Sequence, residues 1–480
     1  MLNEHEESSK AMRMQRSDVA PNLQRRPVAI DLFSGAGGLS LGFESAGFDV
    51  VAAVEYDPIH AATHLYNFPL TDVICSDVSD VTAEALLASA QRGWELHNPS
   101  LPWDGVVDAI IGGPSCQGFS TMGRQDASDE RNQLIFEFVR LVLEIKPLSF
   151  CMENVPGFLD PRFASIRDRA LGALRRAGYD ISGDKHVLKA EEYGVPQKRR
   201  RVVILGVLGG EAPSTPPVSQ TVPFTVGDAF DGLPEMWRYK PLVETDVLEL
   251  SPKVLERRQA YSSDYALVAG LIADGGEALG HRRRFDSSLL AGCRTTRHSD
   301  TSTRRFAATP QGTKEPVSRY HRLSLSAPAL TLRAGTGRER GAFSAARPLH
   351  PTSPRVITAR EAARLHSFPD WFRFHTTNWH AHRQIGNAVP PLLARAAATT
   401  ILDSMGRFGT KSERSAILLG DARLLALSPT EASRLLSVSE DQVPKRMRPA
   451  SAKPPQPAHS QVPSPHRRAR SQETALIGTA

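Results

Sequence analysis

Paired cysteines are the first thing this chain lacks. Its four, Cys75, Cys116, Cys151 and Cys293, are scattered, with no Cys-x-x-Cys pair and no Cys/His run at zinc spacing. That argues against a disulfide framework and a structural metal, and leaves any special cysteine as a free thiol. Long apolar runs are also missing, none approaching the ~20 residues of a membrane helix. The polar leader, Met1 to Pro27, is without the apolar core of a secretory signal, so the expected location is the cytoplasm. No internal repeat is visible. The body of the chain also lacks an excess of charge. The net charge is +6, but residues 444–480 hold seven Lys/Arg against the single acid Glu473, so the tail accounts for all of it. Global basicity therefore cannot argue that the folded body grips a polyanion.

What is present is a strand–helix rhythm. Val28 to Phe33 reads as a strand running into Ser34-Gly35-Ala36-Gly37-Gly38, then a helix from Leu41 to Ala46. A second strand, Val50 to Val54, ends at Glu55, and Asp57-Pro58 opens another helix. Strand, Gly-rich turn, helix, strand and terminal acid form the nucleotide-type half of a doubly wound sheet. The turn is not the dinucleotide fingerprint, because Ser40 stands where its third glycine would fall. It also lacks the Lys-Ser/Thr of a P-loop, so a nucleoside without a triphosphate fits better. Phe33 and Tyr56, at strand ends, are candidates to pack an adenine.

Further strands are predicted at 72–75, 106–111, 148–152 and 202–206, with helices at 132–145 and 163–177. This alternation predicts an α/β fold with a doubly wound, mainly parallel sheet covered on both faces. Functional groups belong at the strands' carboxyl ends, where Phe33, Glu55, Asp77, Cys116 and Glu153 all fall. Cys116 follows a strand and a Gly112-Gly113-Pro114 break, the arrangement that lifts a nucleophile clear of a sheet. A buried structural cysteine in a turn is the bland alternative.

The rhythm is lost after about Val207. Residues 281–305 hold seven arginines against two acids, which reads as a solvated face or a phosphate-contacting surface. Order returns with an N-cap-like Thr358 before a helix at 359–365, and Gln384 to Pro391 opens an apolar helix to about Met405. A helical patch follows at 430–438, and from Pro444 the composition is that of a disordered basic tail.

The chain resembles the DNA (cytosine-5) methyltransferases over about residues 28–405. The residues that carry the likeness are Asp31 to Gly38, Pro114 to Ser120, Glu153-Asn154-Val155, Gln197 to Arg201, Arg355 to Pro369 and Gln384 to Pro390, in the family's order. The resemblance implies the fold of an S-adenosylmethionine-dependent methyltransferase with a smaller irregular target-recognition domain. It implies methyl transfer from S-adenosyl-L-methionine to carbon 5 of a flipped cytosine in duplex DNA. Cys116 would be the nucleophile that adds at carbon 6, Glu153 would act at ring nitrogen 3, and Arg201 would hold the base's carbonyl oxygen. Arg199 joins them among the catalytic candidates, and with Gln197 it supports the site and loop. Cofactor contacts fall to Phe33, Gly35, Gly37, Gly38, Glu55, Tyr56, Asp77, Pro114, Asn387 and Val389; no metal is called for. One departure is Ser115, where most relatives have a second proline before the nucleophile.

On this reading the chain divides into a disordered leader (1–27), a catalytic and cofactor domain (28–207) and a target-recognition domain (208–383). A segment returning to the catalytic domain (384–405), a linker with a short helical extension (406–443) and the tail (444–480) follow. The expected partners are double-stranded DNA, bound by a monomer associated with the nucleoid, and a cognate restriction endonuclease if the enzyme is not solitary. The competing readings are a cytosine-5 methyltransferase acting on RNA and an inactive DNA-binding homologue.

Overall fold

Alternation along the strands sets the layers of this computed structural model, which describes residues 25–114, 133–183, 185–259, 263–270, 279–335, 347–412, 414 and 416–439. Its main sheet is built from β1 (Val28–Leu32), β2 (Asp49–Glu55), β3 (Asp72–Cys75), β4 (Ala109–Gly112), β5 (Ser149–Asn154), β6 (Tyr179–Ser182) and β9 (Arg200–Leu208). The two-residue β7 (Leu188–Lys189) pairs with β9, and β8 (Gln197–Lys198) pairs separately with Ala329–Leu330. Val28, Ile30, Leu32, Ile110, Phe150, Met152, Val202 and Ile204 enter one apolar cluster. Their neighbours Ala29, Ala109, Ile111, Cys151, Val203 and Leu205 enter another. A sheet buried on both faces needs apolar residues at both parities, which is why these strands read as near-continuous hydrophobic runs.

The first face is covered by α3 (Ala83–His97), α4 (Leu134–Ile145) and α5 (Ala164–Arg176), through Leu86, Ala90 and Trp94, through Ile135, Phe138 and Val142, and through Leu171 and Leu174. On the other lie α1 (Gly38–Ala46) and the late helix α8 (Pro391–Ser404). A further helix, α2 (Pro58–Asn67), follows β2 and is capped by Asp57, whose side chain accepts from the Ile59 N–H. The sequence reading missed α3, whose buried stripe of Leu86, Ala90, Gly93 and Trp94 is too poor in large apolar residues to announce a period.

Strand order is β3-β2-β1-β4-β5-β9-β6. β1 to β5 pair in parallel, and β9 runs antiparallel to both β5 and β6. The order reverses between β1 and β4, so a crevice opens at their carboxyl ends. Reversal of β9 has its own effect. Its first residues lie at the same edge as the last residues of β5, with Asn154 opposite Val202 and Glu153 opposite Val203.

Two differences from the sequence reading bear on the strand ends and the late helices. β5 extends through Asn154, so Glu153 is held inside the ladder. The Gln384 segment does not open the last helix; it ends α7 (Asn378–Asn387), and Pro390 and Pro391 separate that helix from α8. Proline fits the first helical turn but not a helix interior, so the chain must break there. Ahead of these, α6 (Ala359–Leu365) starts in a capping box, with Thr358 and Glu361 each accepting from the other's main-chain N–H.

Candidate active site

Leaving β1, the chain turns through left-handed backbone at Phe33 (φ 63°), Gly35 (φ 56°) and Gly37 (φ 102°). Only glycine adopts this conformation without steric cost, so the spacing of Gly35 and Gly37 is a backbone requirement. The Gly35 N–H donates to Glu55 Oε2 at 2.7 Å, and the Asp57 N–H donates to Glu55 Oε1 at 2.8 Å. One carboxylate at the end of β2 thus ties together the loops after β1 and β2. Burial pushes the Glu55 carboxyl up to about 7, outweighing the two amides, with the Asp57 charge adding to the rise. Asp31 behaves alike: burial pushes it up to about 7, although the Ser40 hydroxyl donates to its Oδ2 at 2.5 Å. Its Oδ1 is buried without a hydrogen-bond partner among the described residues.

The far side of this cleft is the link between α7 and α8. A Cβ on Gly38 would lie 2.3 Å from the Val389 carbonyl oxygen, so these main chains touch only because Gly38 has no side chain. Val389 is buried and Asn387 exposed. Phe33 is half-buried and Tyr56 exposed at the strand ends; Asp77 is half-buried, its Oδ1 accepting from the N–H and hydroxyl of Ser79. Space lies open where a Cβ on Gly35 would point. Two acids poised near neutrality, an orphaned buried oxygen and this open glycine fit a ligand carrying hydroxyl and cationic donors.

Two of the catalytic candidates, Glu153 and Arg201, meet at the next strand ends. Arg201 Nε lies 2.5 Å from Glu153 Oε1, both side chains being 13% exposed. A Cβ on Gly113 would lie 2.9 Å from Glu153 Oε2, so the chain leaving β4 passes directly over this carboxylate. Asn154 fixes that passage: its Nδ2 donates to the Pro114 carbonyl at 3.5 Å, while its Oδ1 accepts from the Val155 N–H at 2.9 Å. Cys116 and Ser115 lie outside the described residues, as do the rest of their loop (115–132), the leader before Arg25 and the tail.

Arg199 is placed differently from Arg201. Its guanidinium is buried and donates to the carbonyls of Leu332 (2.9 Å), Gly386 (3.0 Å) and Ala388 (2.9 Å). Two of these contacts hold the α7–α8 link. Gln197 is buried alongside, its Oε1 accepting from the Leu332 N–H at 2.9 Å and its Nε2 lying 2.9 Å from His366 Nδ1. His366 Nε2 lies 2.9 Å from the Ala388 carbonyl and donates to it. That geometry needs a neutral imidazole, and burial, reinforced by the Arg199 charge, holds the His366 pKa well below its usual value. Sequence reasoning left Asp31, Asn154 and His366 out of the site. All three stand inside quoted motifs and were within reach, although His366 has no spacing signal of its own.

The 281–305 arginines do not form one face. Arg283 is buried against Glu44 Oε2 at 2.8 Å, Arg294 donates to the Glu244 carbonyl and Arg305 lies 3.5 Å from Glu315, whereas Arg284, Arg297 and Arg304 are exposed. Part of the basic excess is therefore internal architecture. At the opposite end of β2, Asp49, His97 and His281 bring three metal-type donors within 4.8 Å of one another. Here Asp49 Oδ1 already accepts from Arg26 Nε at 2.7 Å and lies 2.9 Å from His281 Nε2, so a fixed cation balances its charge.

A mainly parallel sheet with a glycine turn at its switch point, and a Glu–Arg pair on the neighbouring strands, is an α/β arrangement that solved methyltransferases share. The solved structure of a DNA modification methyltransferase encoded within an E. coli prophage matches with a TM-score of 0.62 and 33% identity, covering 79% of this chain and all of that one. The S. pombe Dnmt2 methyltransferase shares the fold, with a TM-score of 0.50 and 15% identity over 79% of this chain and 99% of its own. In sequence, the type II methyltransferase M.XorII of Xanthomonas oryzae is 44% identical, covering 88% of this chain and 96% of that relative. M.AgeI of Thalassovita gelatinovora is 32% identical, covering 78% of this chain and 98% of its own. The chain belongs to the C-5 cytosine-specific DNA methylase family, whose profile matches residues 28–403. Its activity is accordingly that of a DNA cytosine methyltransferase. Among the described residues, no helix is long and apolar enough to cross a membrane.

Proposed function

We propose that the protein transfers a methyl group from S-adenosyl-L-methionine to carbon 5 of a cytosine flipped out of duplex DNA. The observation that carries this is the Arg201–Glu153 pair lying directly under Gly113 and Pro114, where the Cys116 loop begins. Stacked bases cannot reach such a pocket, so the target must leave the helix. The Cys116 thiolate adds to carbon 6, and electron density moves towards carbon 5. Glu153 meets the charge developing at ring nitrogen 3, and Arg201 holds the base's carbonyl oxygen. The cofactor supplies an electrophilic methyl group on a sulfonium. After transfer, a base removes the carbon 5 proton and the ring expels the thiolate, restoring both Cys116 and aromaticity.

Glu55 would accept from the ribose hydroxyls, Phe33 and Tyr56 would flank the adenine, and Asp77 would accept from its amine. Val389 and Asn387 would close the methionine end over Gly35 to Gly38. In the domain division we propose, the irregular 208–383 region reads the target sequence, and the type II names of the relatives favour a restriction–modification partner. The test is labelled methyl transfer with wild-type protein and Cys116→Ala, on duplex DNA and on tRNA. Transfer to duplex DNA is expected from wild type alone, with cofactor binding kept in the variant. Undiminished transfer by Cys116→Ala would refute the nucleophile, and transfer confined to tRNA would refute the substrate. Bisulfite sequencing of DNA from expressing cells then gives the target sequence.

A further inference from the structure

Asp57, the neighbour that holds Glu55, is itself held by a residue outside every motif quoted above. Arg383 lies on α7, one turn before Asn387, and its Nη1 donates to Asp57 Oδ2 at 3.1 Å. Its guanidinium also lies over the Trp379 ring, 5.4 Å from the centroid. Asp57 is buried and serves both neighbours: its Oδ1 caps α2, and its main-chain N–H donates to Glu55 Oε1 at 2.8 Å. The next residue on α7 makes a second tie to α2, with Gln384 Nε2 donating to Thr63 Oγ1 at 2.8 Å. Beyond α7 the chain passes to Val389, whose carbonyl lies against Gly38. A displacement of α7 would therefore disturb both walls of the cleft together. An arginine bonded to a buried carboxylate holds geometry better than a surface ion pair, because the carboxylate has no water to turn to.

We infer that Arg383 is a positioning residue for the cofactor. Through Asp57 it fixes the orientation of the Glu55 carboxylate, and through α7 it sets Val389 beside Gly38. This rests on assigning the cleft to S-adenosylmethionine. The test uses the full chain with Arg383→Ala and Arg383→Lys, measuring KM and kcat for S-adenosylmethionine, its dissociation constant by calorimetry and the unfolding temperature without ligand. Arg383→Ala is expected to raise KM and the dissociation constant about tenfold, the size of one lost charge-assisted hydrogen bond. Its kcat at saturating cofactor should stay within about twofold of wild type, and Arg383→Lys should recover most of the affinity. A merely structural role would lower the unfolding temperature and the active fraction while leaving KM unchanged in both variants, and that result overturns the inference. Wild-type protein that failed to bind S-adenosylmethionine would overturn the assignment of the cleft as well.

Discussion

Asp31 and Glu55 in the cleft, and Glu361 and Asp370 around α6, are all buried carboxyls, yet they stand on opposite sides of their ordinary range. In the cleft, burial has little opposition: Glu55 has main-chain amides, Asp31 a hydroxyl, and both are pushed up to about 7. Around α6, burial would also raise the acids, but arginines outweigh it. Arg364 grips Asp370 with Nε at 3.0 Å and Nη2 at 2.6 Å, Arg258 bonds it from a third direction, and it is held down at about 2. Glu361 is likewise held at about 2 by Arg355 and His350. The second group is complete, with each charge answered inside the protein. In the first, no arginine among the described residues bonds either carboxylate, and the Arg383 charge that acts on Glu55 is engaged with Asp57, the kind of imbalance found at functional sites.

The comparison breaks most forcefully at Asp370. Arg360 Nη1 also lies 3.6 Å from its Oδ1, so replacing Asp370 with alanine leaves the guanidiniums of Arg258, Arg360 and Arg364 facing one another, and should cost about 3–5 kcal/mol in a denaturant titration. A loss below about 1 kcal/mol would mean that the cluster is not a closed structural unit. The corresponding change in the cleft should act on binding instead. Glu55→Gln is expected to weaken S-adenosylmethionine binding by about 10- to 100-fold by calorimetry. The unfolding midpoint without ligand should move little, since relief of a buried charge offsets the loss of one amide hydrogen bond. Equal destabilisation by the two substitutions would erase the distinction.

Proton linkage sharpens it further, with a smaller effect. Asp31 and Glu55 have pKa values raised from 3.8 and 4.5 to about 7, so the folded state binds their protons more tightly than the unfolded chain. Their contribution to stability is complete below about 4 and is lost as pH rises through about 7, at up to about 1.4 kcal/mol per pH unit for each group. Glu361 and Asp370 give the opposite slope: their contribution is present above about 4 and lost as pH falls through about 2. Denaturant midpoints measured from pH 3 to 8 should therefore lose part of their alkaline decline in Glu55→Gln and keep the acid limb. Saturating S-adenosylmethionine, a cationic ligand, should also flatten the alkaline decline, and a decline unaffected by ligand would separate these acids from the cofactor.

How far the sequence told this in advance depended on the kind of signal. β1, β2 and the acid that ends β2 were legible because buried strands are apolar at both parities and glycine punctuates them. Thr358 was legible because a capping box is local. The opposed arginines were not. Arg199 and Arg201 share one motif and differ by two residues, but only the tertiary structure shows that one holds carbonyls of the α7–α8 link while the other reaches Glu153. Asp370 meets Arg360 and Arg364 from its own segment, but Arg258 reaches it across 112 residues of chain, and no periodicity records that meeting. Asn387 was placed at the start of a helix and lies at the end of one, because the prolines that follow were read as an opening instead of a break.

The contact between Gly38 and Val389 joins two points separated by almost the whole folded chain. During synthesis, the glycine turn leaves the ribosome long before the wall that completes its cleft. Domains begin to fold as they emerge, so the early sheet must stand for a time with the α8 side of α1 uncovered and the cofactor cleft open on one flank. An arrested chain ending before α7 would keep the Cys116 loop and the Glu153–Arg201 pair but have only half a cofactor cleft. Competence thus arrives only once α8 has been made, and a product terminated before it is expected to carry the reactive residues without the means to use them.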